Sequence, residues 1–335
     1  MNSDWQAFLS VQNTQFTELK NTQEEMLFDL SGRALIKVCG EDAESFLQNQ
    51  LSNDIRNVTE TAHQASAWCS PKGRIIVTFQ IFKRADCFYL SLSADLLEHV
   101  LKKLGMYVMM SKVTLEDATD SMVHFGYAGE LQKILNDAPS TSGQTIQHGN
   151  LSILRIAGDT PRYEVFSDTL VSDDDVDGIN DAKQLWEQCA ENATAINSNG
   201  WHYLNILAGL PDISEASSEA WIPQMVNYIA VGGVDFKKGC YPGQEVVARL
   251  NYLGKTKRRM YHLQIESDQL PTIGESIASD SDKVAGKILN VAINPAGKVE
   301  ALAILKIAEA DKSLTLSNSA NKTVAILELP YSLGE

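Results

Sequence analysis

The sequence predicts an α+β chain: two blocks mixing strands with helices, then a small C-terminal β-barrel. Three observations carry this. Helical spacing of apolar residues appears in short segments between strands. The strands are bounded by turn residues, Pro-Lys-Gly among them. After Leu253 the chain becomes a series of short strands separated by Gly, Asn, Asp and Pro. The boundaries expected are 1–118 for the first α+β domain with its polar N-terminal segment, 119–252 for the second, and 253–335 for the barrel.

In order, residues 1–26 are polar and expected to be helical or loosely ordered. ALIKV at 34–38 reads as a strand ending at Gly40. Glu41–Leu51 follows as a helix, with Ala43, Phe46, Leu47 and Leu51 at helical spacing. SAWCS at 66–70 and RIIVTFQIF at 74–82 flank Pro71-Lys72-Gly73, a hairpin signal. CFYLSLS at 87–93 is a strand, Ala94–Leu104 an amphipathic helix, and KVTLED closes the block. In the second block MVHFGYAG at 122–129 is a strand. A helix at 130–137 and a polar loop at 139–150 follow. LSILRIAG and RYEVFS are strands, and Asp181–Glu191 is a helix. The acidic run SDDDVD at 172–177 is expected as a solvated turn and helix start, since acids suit the positive end of a helix. RRMYHLQI, KVAGKILNV, VEALAILKI and TVAILEL supply the barrel strands.

Composition narrows the function. The chain carries 28 Lys+Arg against 43 Asp+Glu, a net charge of −15 over 335 residues. That argues against a protein whose main task is gripping a phosphate backbone. No apolar run approaches the ~20 residues of a membrane helix. MNSDWQAFLS lacks the character of a secretion signal, so the cytoplasm is the expected location. The five cysteines (Cys39, Cys69, Cys87, Cys189 and Cys240) form no Cys-x-x-Cys and no cluster with His. No metal site is expected, and an odd count in a reducing compartment fits free thiols.

One stretch stands out: DFKKGCYPGQEVVAR, 235–249. Tyr241-Pro242-Gly243-Gln244 has the residues of a type II turn, with Pro second and Gly third. A short helix can start at Gln244, placing Cys240 just before its N-terminus. A helix N-terminus and the nearby Lys237, Lys238 and Arg249 favour a thiolate; Asp235 and Glu245 oppose it. Local physics leaves two readings open here, a reactive exposed thiol and a small apolar residue under a turn. The other four cysteines sit in strand-like or helix-like segments and are expected in the core. GKTKRR at 254–259, the densest basic run, suits a solvated hairpin, an RNA phosphate or a polyglutamate tail.

Lys-Gly-Cys-Tyr-x-Gly-Gln-Glu at Lys238–Glu245 resembles the signature of the YgfZ family. FLQNQLSNDI at 46–55, PKGRI at 71–75, IPQMVNYIAVGGVDFKKGCYPGQE at 222–245 and the terminal LPYSLGE extend the likeness over roughly residues 28–335. The resemblance implies a fold similar to the glycine-cleavage T-protein, whose first domains can interleave in sequence, with a C-terminal barrel. It implies a folate-binding accessory protein that supports iron–sulfur cluster assembly or repair in other enzymes, and through them tRNA methylthiolation. It makes Cys240 the working thiol, assisted by Lys238, in a loop shaped by Gly239, Tyr241, Gly243, Gln244 and Glu245. Trp201 stands where the family has a folate-contacting tryptophan, and Arg33 aligns with a second such position. The expected partners are folate and iron–sulfur enzymes such as the tRNA methylthiotransferase. Contact with tRNA is expected to be indirect or weak, with no membrane, and the chain to be a monomer.

Two alternatives follow from the same resemblance. T-protein relatives transfer a one-carbon unit to tetrahydrofolate using an aspartate on the strand after the Lys-Gly hairpin. Here Val77 and Thr78 occupy those places, and neither can hold a negative charge or act as a base. Asp54, nearby in sequence, is expected to cap or solvate a helix end. A non-catalytic folate-binding scaffold is the other alternative. A thiol oxidoreductase would need a distant resolving cysteine, such as Cys39 or Cys69.

Overall fold

A computed structural model describes residues 2–109, 111–169, 178–254, 256–267, 269–317 and 322–333. The acidic run at 172–177 and Lys255 of the basic run lie outside the described residues. The chain forms two compact units that interleave: 1–47, 55–64 and 79–201 make the first, and 48–54, 65–78 and 202–335 the second. The linear division at 118/119 and 252/253 remains a proposal.

The first unit holds a six-stranded sheet and the greater part of a five-stranded one, of which residues 65–69 and 75–78 fall in the second unit. The six-stranded sheet has the order Thr194–Ile196, Met26–Asp29, Met122–Ala128, Arg162–Asp168, Leu151–Ile156 and Thr145–His148. Its central strands are antiparallel, and Glu164 lies opposite Gly126 on one side and Leu154 on the other. One face buries Phe125, Tyr127, Tyr163 and Val165 with Trp5 of the helix Ser3–Val11 and Trp186 of the helix Gly178–Ala190. The first helix is expected from its polar start: Asn2 accepts from the backbone N–H groups of Asp4 and Trp5, a side-chain N-cap.

The other face presents Phe28, His124, Arg162, Glu164 and Phe166, because side chains alternate along a strand. Phe166 packs on Phe82, the ring centres 4.5 Å apart and the planes tilted by 30°. Phe82 belongs to Ile75–Arg84 of a five-stranded sheet, which runs Gln64–Cys69, Ile75–Arg84, Cys87–Leu92, Ala34–Cys39 and Thr114–Asp117. The chain passes between the units within Ile75–Arg84, after Thr78.

In the second unit, six strands between Arg258 and Leu327 close into a barrel around Leu263, Ile277, Ile288, Ala301 and Leu314. Among the described residues, no helix is long and apolar enough to cross a membrane.

Three local expectations are corrected. The helix expected at 130–137 is only a 3-10 turn, Leu131–Lys133. Its backbone bonds run three residues back, and Pro139 disfavours helical backbone at Ala138. The loop expected at 139–150 contains the strand Thr145–His148, which pairs with Leu151–Ile156. Gly149-Asn150 joins them, with Gly149 at φ 56°, a two-residue hairpin turn whose Gly-Asn signal was passed over. Cys39 and Cys87, expected as core thiols, are joined as a disulfide with Cα atoms 4.6 Å apart. The register explains it: Val38 pairs Phe88, so the next residues on the antiparallel strands face each other directly. Cys69, Cys189 and Cys240 remain free.

Candidate functional site

The cysteine loop lies in the second unit, where three stretches distant in sequence converge. Gln244 N–H donates to Tyr241 O at 3.2 Å, and Gly243 has φ 80° and ψ −1°, the backbone of a type II turn. The helix Gln244–Leu253 starts there. A side chain at Gly243 would fail twice, from its left-handed backbone and because a Cβ would stand 2.4 Å from the Ser70 carbonyl and 2.6 Å from Gly73 Cα. The Pro71-Lys72-Gly73 turn is thus pressed against the start of the helix.

The residues leading into the loop are fixed by LSND, 51–54. Ser52 Oγ donates to Gly233 O at 2.6 Å, Asn53 Nδ2 to Gly232 O at 2.7 Å, and Asp235 N–H to Ser52 O at 3.0 Å. Asp54, expected to cap or solvate a helix end, is buried.

Lys238 is buried, at 6% exposure. Its ammonium donates to Gln48 O at 2.6 Å and also to Leu51 O, carbonyls at the end of the helix Ala43–Gln50. It lies 5.2 Å from the centre of the Tyr241 ring. A cation at a helix C-terminus complements the exposed carbonyls. Lys238 therefore fastens the loop from below. Tyr241 is buried, and burial raises its phenol well above the ordinary value, with Cys69 adding to the rise. Cys240, between these anchored neighbours, is exposed. The other free thiols differ. Burial pushes Cys69 up to about 12; burial, with Glu25 adding to it, does the same to Cys189, so both stay protonated.

The second set of expected residues stands in the first unit, around a pair the sequence reading missed. Trp201 is 2% exposed. Its ring meets Phe28 edge-on at 5.1 Å and is covered by the Arg162 guanidinium at 5.2 Å. Gly126 makes room for it, since a Cβ there would lie 2.8 Å from the indole. Arg162 is fully buried, and burial pulls it down to about 9 against the opposing effect of Glu164. It stays a cation at neutral pH. Glu164 is 6% exposed, with His124 Nε2 at 3.5 Å. Burial would raise this carboxyl, but His124, Arg33 and His63 outweigh it and hold it below the usual range. Its Oε2, the oxygen facing His124 Nε2 at 3.5 Å, is buried and makes no hydrogen bond of ordinary geometry. Arg33 also donates from Nε to Ser91 Oγ at 3.3 Å. His63 completes the layer: Nε2 lies 3.1 Å from Arg155 O, Gln80 Nε2 donates to Nδ1, and burial lowers its pKa to about 4.

The signal for this layer was present in RYEVFS. Arg162 and Glu164 are charged residues two apart in a segment otherwise made of Tyr163, Val165, Phe166 and Ser167. Alternation alone assigns them to a solvent face; the packed five-stranded sheet buries them instead. Val77 is buried, and Thr78 Oγ1 accepts from Ile213 N–H at 3.1 Å, so neither supplies a carboxylate. Among the described residues, no three His, Cys, Asp or Glu stand close enough to hold a metal ion.

Comparison with known proteins gives the lineage. Residues 7–158 match the GCVT N-terminal domain. The tRNA-modifying protein YgfZ of Yersinia pseudotuberculosis (serotype IB, strain PB1/+) is 33% identical over 318 residues, covering 92% of this chain and 93% of that one. The chain belongs to the YgfZ family. The YgfZ protein of Enterobacter sp. strain 638 is 32% identical over the same length. Among solved structures, the aminomethyltransferase T of the glycine cleavage system from Bartonella henselae has a similar fold. The TM-score is 0.70 at 16% identity, over 92% of this chain and 86% of that one. The fold is thus T-protein-like, α+β with a closed C-terminal barrel, as YgfZ membership implied.

Proposed function

We propose that this protein is a folate-binding accessory factor. It supports iron–sulfur cluster assembly or repair in other enzymes, and through them the methylthiolation of tRNA. The observation that carries the reading is Cys240, the exposed free thiol on a loop whose backbone is fixed from below by Lys238 and Gly243. A thiol held out on a rigid loop can meet a partner's reactive atom at little entropic cost. Relatives about a third identical over most of the chain are tRNA-modifying proteins by name.

The buried layer of the first unit suits a folate. A pterin presents an amine and a ring N–H side by side, and a buried carboxylate with an unsatisfied oxygen is a fitting acceptor for them. Glu164 is that carboxylate. In this reading Trp201 backs Arg162 and so steadies Glu164, and Arg33 supplies a cation for the anionic side of the ligand. An aminomethyl transfer is not the favoured chemistry, because Val77 and Thr78 provide no base.

The test is mass spectrometry of tRNA nucleosides from cells lacking the gene, complemented with wild type or Cys240→Ala at matched protein levels. The expected result is methylthio-adenosine restored by wild type alone. Restoration by both would overturn the role of the thiol.

A further inference from the structure

The helix that follows Cys240 ends in two large apolar side chains exposed to solvent. Tyr252 is 67% and Leu253 87% exposed, while Val247 on the opposite face is buried. Residues 245, 249, 252 and 253 follow helical spacing, so Glu245, Arg249, Tyr252 and Leu253 share the outer face. Tyr252 is not a loose ring. It meets Phe236 edge-on at 5.8 Å, and Phe236 lies four residues before Cys240. The thiol loop and the helix end therefore border one surface, about 15 Å long for ten residues.

Charge sets this surface apart. In a chain of net charge −15, the exposed charged side chains among the described residues of 235–259 are Lys237, Arg249 and Lys257 against Glu245. Lys237 adjoins Phe236 in sequence, Arg249 shares the outer face of the helix, and Lys257 follows Leu253 by four residues. An aromatic and an aliphatic anchor with exposed cations on the same helix face and in the flanking sequence is the composition of a protein-binding centre with a polar rim.

We propose that the outer face of the helix Gln244–Leu253, together with the Cys240 loop, is a docking surface for an acidic protein partner with an apolar pocket. The proposal rests on the functional reading above, which makes that partner the enzyme whose cluster Cys240 serves. A protein is favoured over RNA on two counts. Glu245 stands on the same face as Arg249, and the net charge repels a polyphosphate at range.

The test uses the purified full-length protein and the purified tRNA methylthiotransferase of the same genome, with bulk tRNA and anionic vesicles as parallel probes. Binding is measured by calorimetry for wild type, Arg249→Glu and the double variant Tyr252→Ala/Leu253→Ser, each first checked by thermal melt. The expected result is binding to the enzyme that weakens about tenfold or more in the double variant and in Arg249→Glu. It should also weaken with salt. Equal affinity of all variants would overturn the surface while leaving the role of the thiol standing. Absence of enzyme binding, or capture of tRNA or vesicles through the same residues, would overturn it too. The functional reading fails separately, if Cys240→Ala restores methylthio-adenosine in cells.

Discussion

The cysteine loop and the Glu164 layer place their chemistry by opposite means. The loop is held by backbone: a left-handed glycine, a type II turn, and a lysine bonded to main-chain carbonyls. Its residues are contiguous in sequence, and its key atom faces outward. The layer is made of side chains from separate strands and a helix, with Arg33, His63, His124, Arg162, Glu164 and Trp201 inside the first unit. Outward presentation lets a loop act on a partner; inward convergence lets a fold grip a small molecule. Removing chemistry from the first should spare stability, and removing it from the second should not.

The largest expected effect is functional. Cys240→Ala should abolish restoration of methylthio-adenosine while the melting temperature stays within about a degree of wild type, because an exposed side chain contributes little to folding. A large drop in melting temperature would erase the contrast between the two regions. Glu164→Gln should do the reverse. It leaves Arg162 buried without its counter-charge and should cost about 3 kcal/mol or more in urea unfolding. It should also remove the thermal shift produced by added tetrahydrofolate, without changing alkylation of Cys240 by a small maleimide.

Acid sharpens the same contrast. His63 is buried with a pKa of about 4, against about 6.5 in the unfolded chain. The unfolded state binds the proton first, so the contribution of His63 is present above about pH 6.5 and is lost as pH falls toward 4. The loss approaches roughly 3 kcal/mol at the low end. His63→Gln should flatten the stability profile between those pH values, measured by chemical denaturation. The lowered Glu164 acts in the same direction at lower pH, because a depressed carboxylate loses its stabilising effect as it is protonated.

These differences explain what could be read from the sequence. The barrel, the hairpin at Pro71-Lys72-Gly73 and the turn at Tyr241–Gln244 were legible because each is written in neighbouring residues. The exposed thiol followed from the same local signals together with the family likeness. Glu164 was not legible, because its burial depends on a second sheet that only folding brings over it. The Cys39–Cys87 pair escaped for a similar reason: it depends on strand register. The Thr145–His148 strand was missed for a smaller cause, an unrecognised Gly-Asn turn.

Within the loop, Gly243→Ala should cost about 2 kcal/mol, from left-handed backbone and from pressure on the Ser70 carbonyl and Gly73. Denaturant unfolding would show it, and an unchanged midpoint would mean that the turn can re-form without glycine.

Lys238 carries the smallest expected loss of stability among the buried positions and the sharpest question. The sequence cast it as the cation that favours a thiolate at Cys240; the structure shows its ammonium bonded to Gln48 and Leu51 carbonyls. Lys238→Met keeps the stem and removes those bonds, so it should cost about 1.5 kcal/mol. If the lysine acts as a clamp, the pH dependence of Cys240 alkylation should keep its midpoint, while limited proteolysis of the loop becomes faster. If it acts on the thiol directly, the midpoint should move up and proteolysis should not change. The bonds to buried carbonyls favour the clamp, because an ammonium already engaged from below has less of its field to spare for a side chain facing solvent.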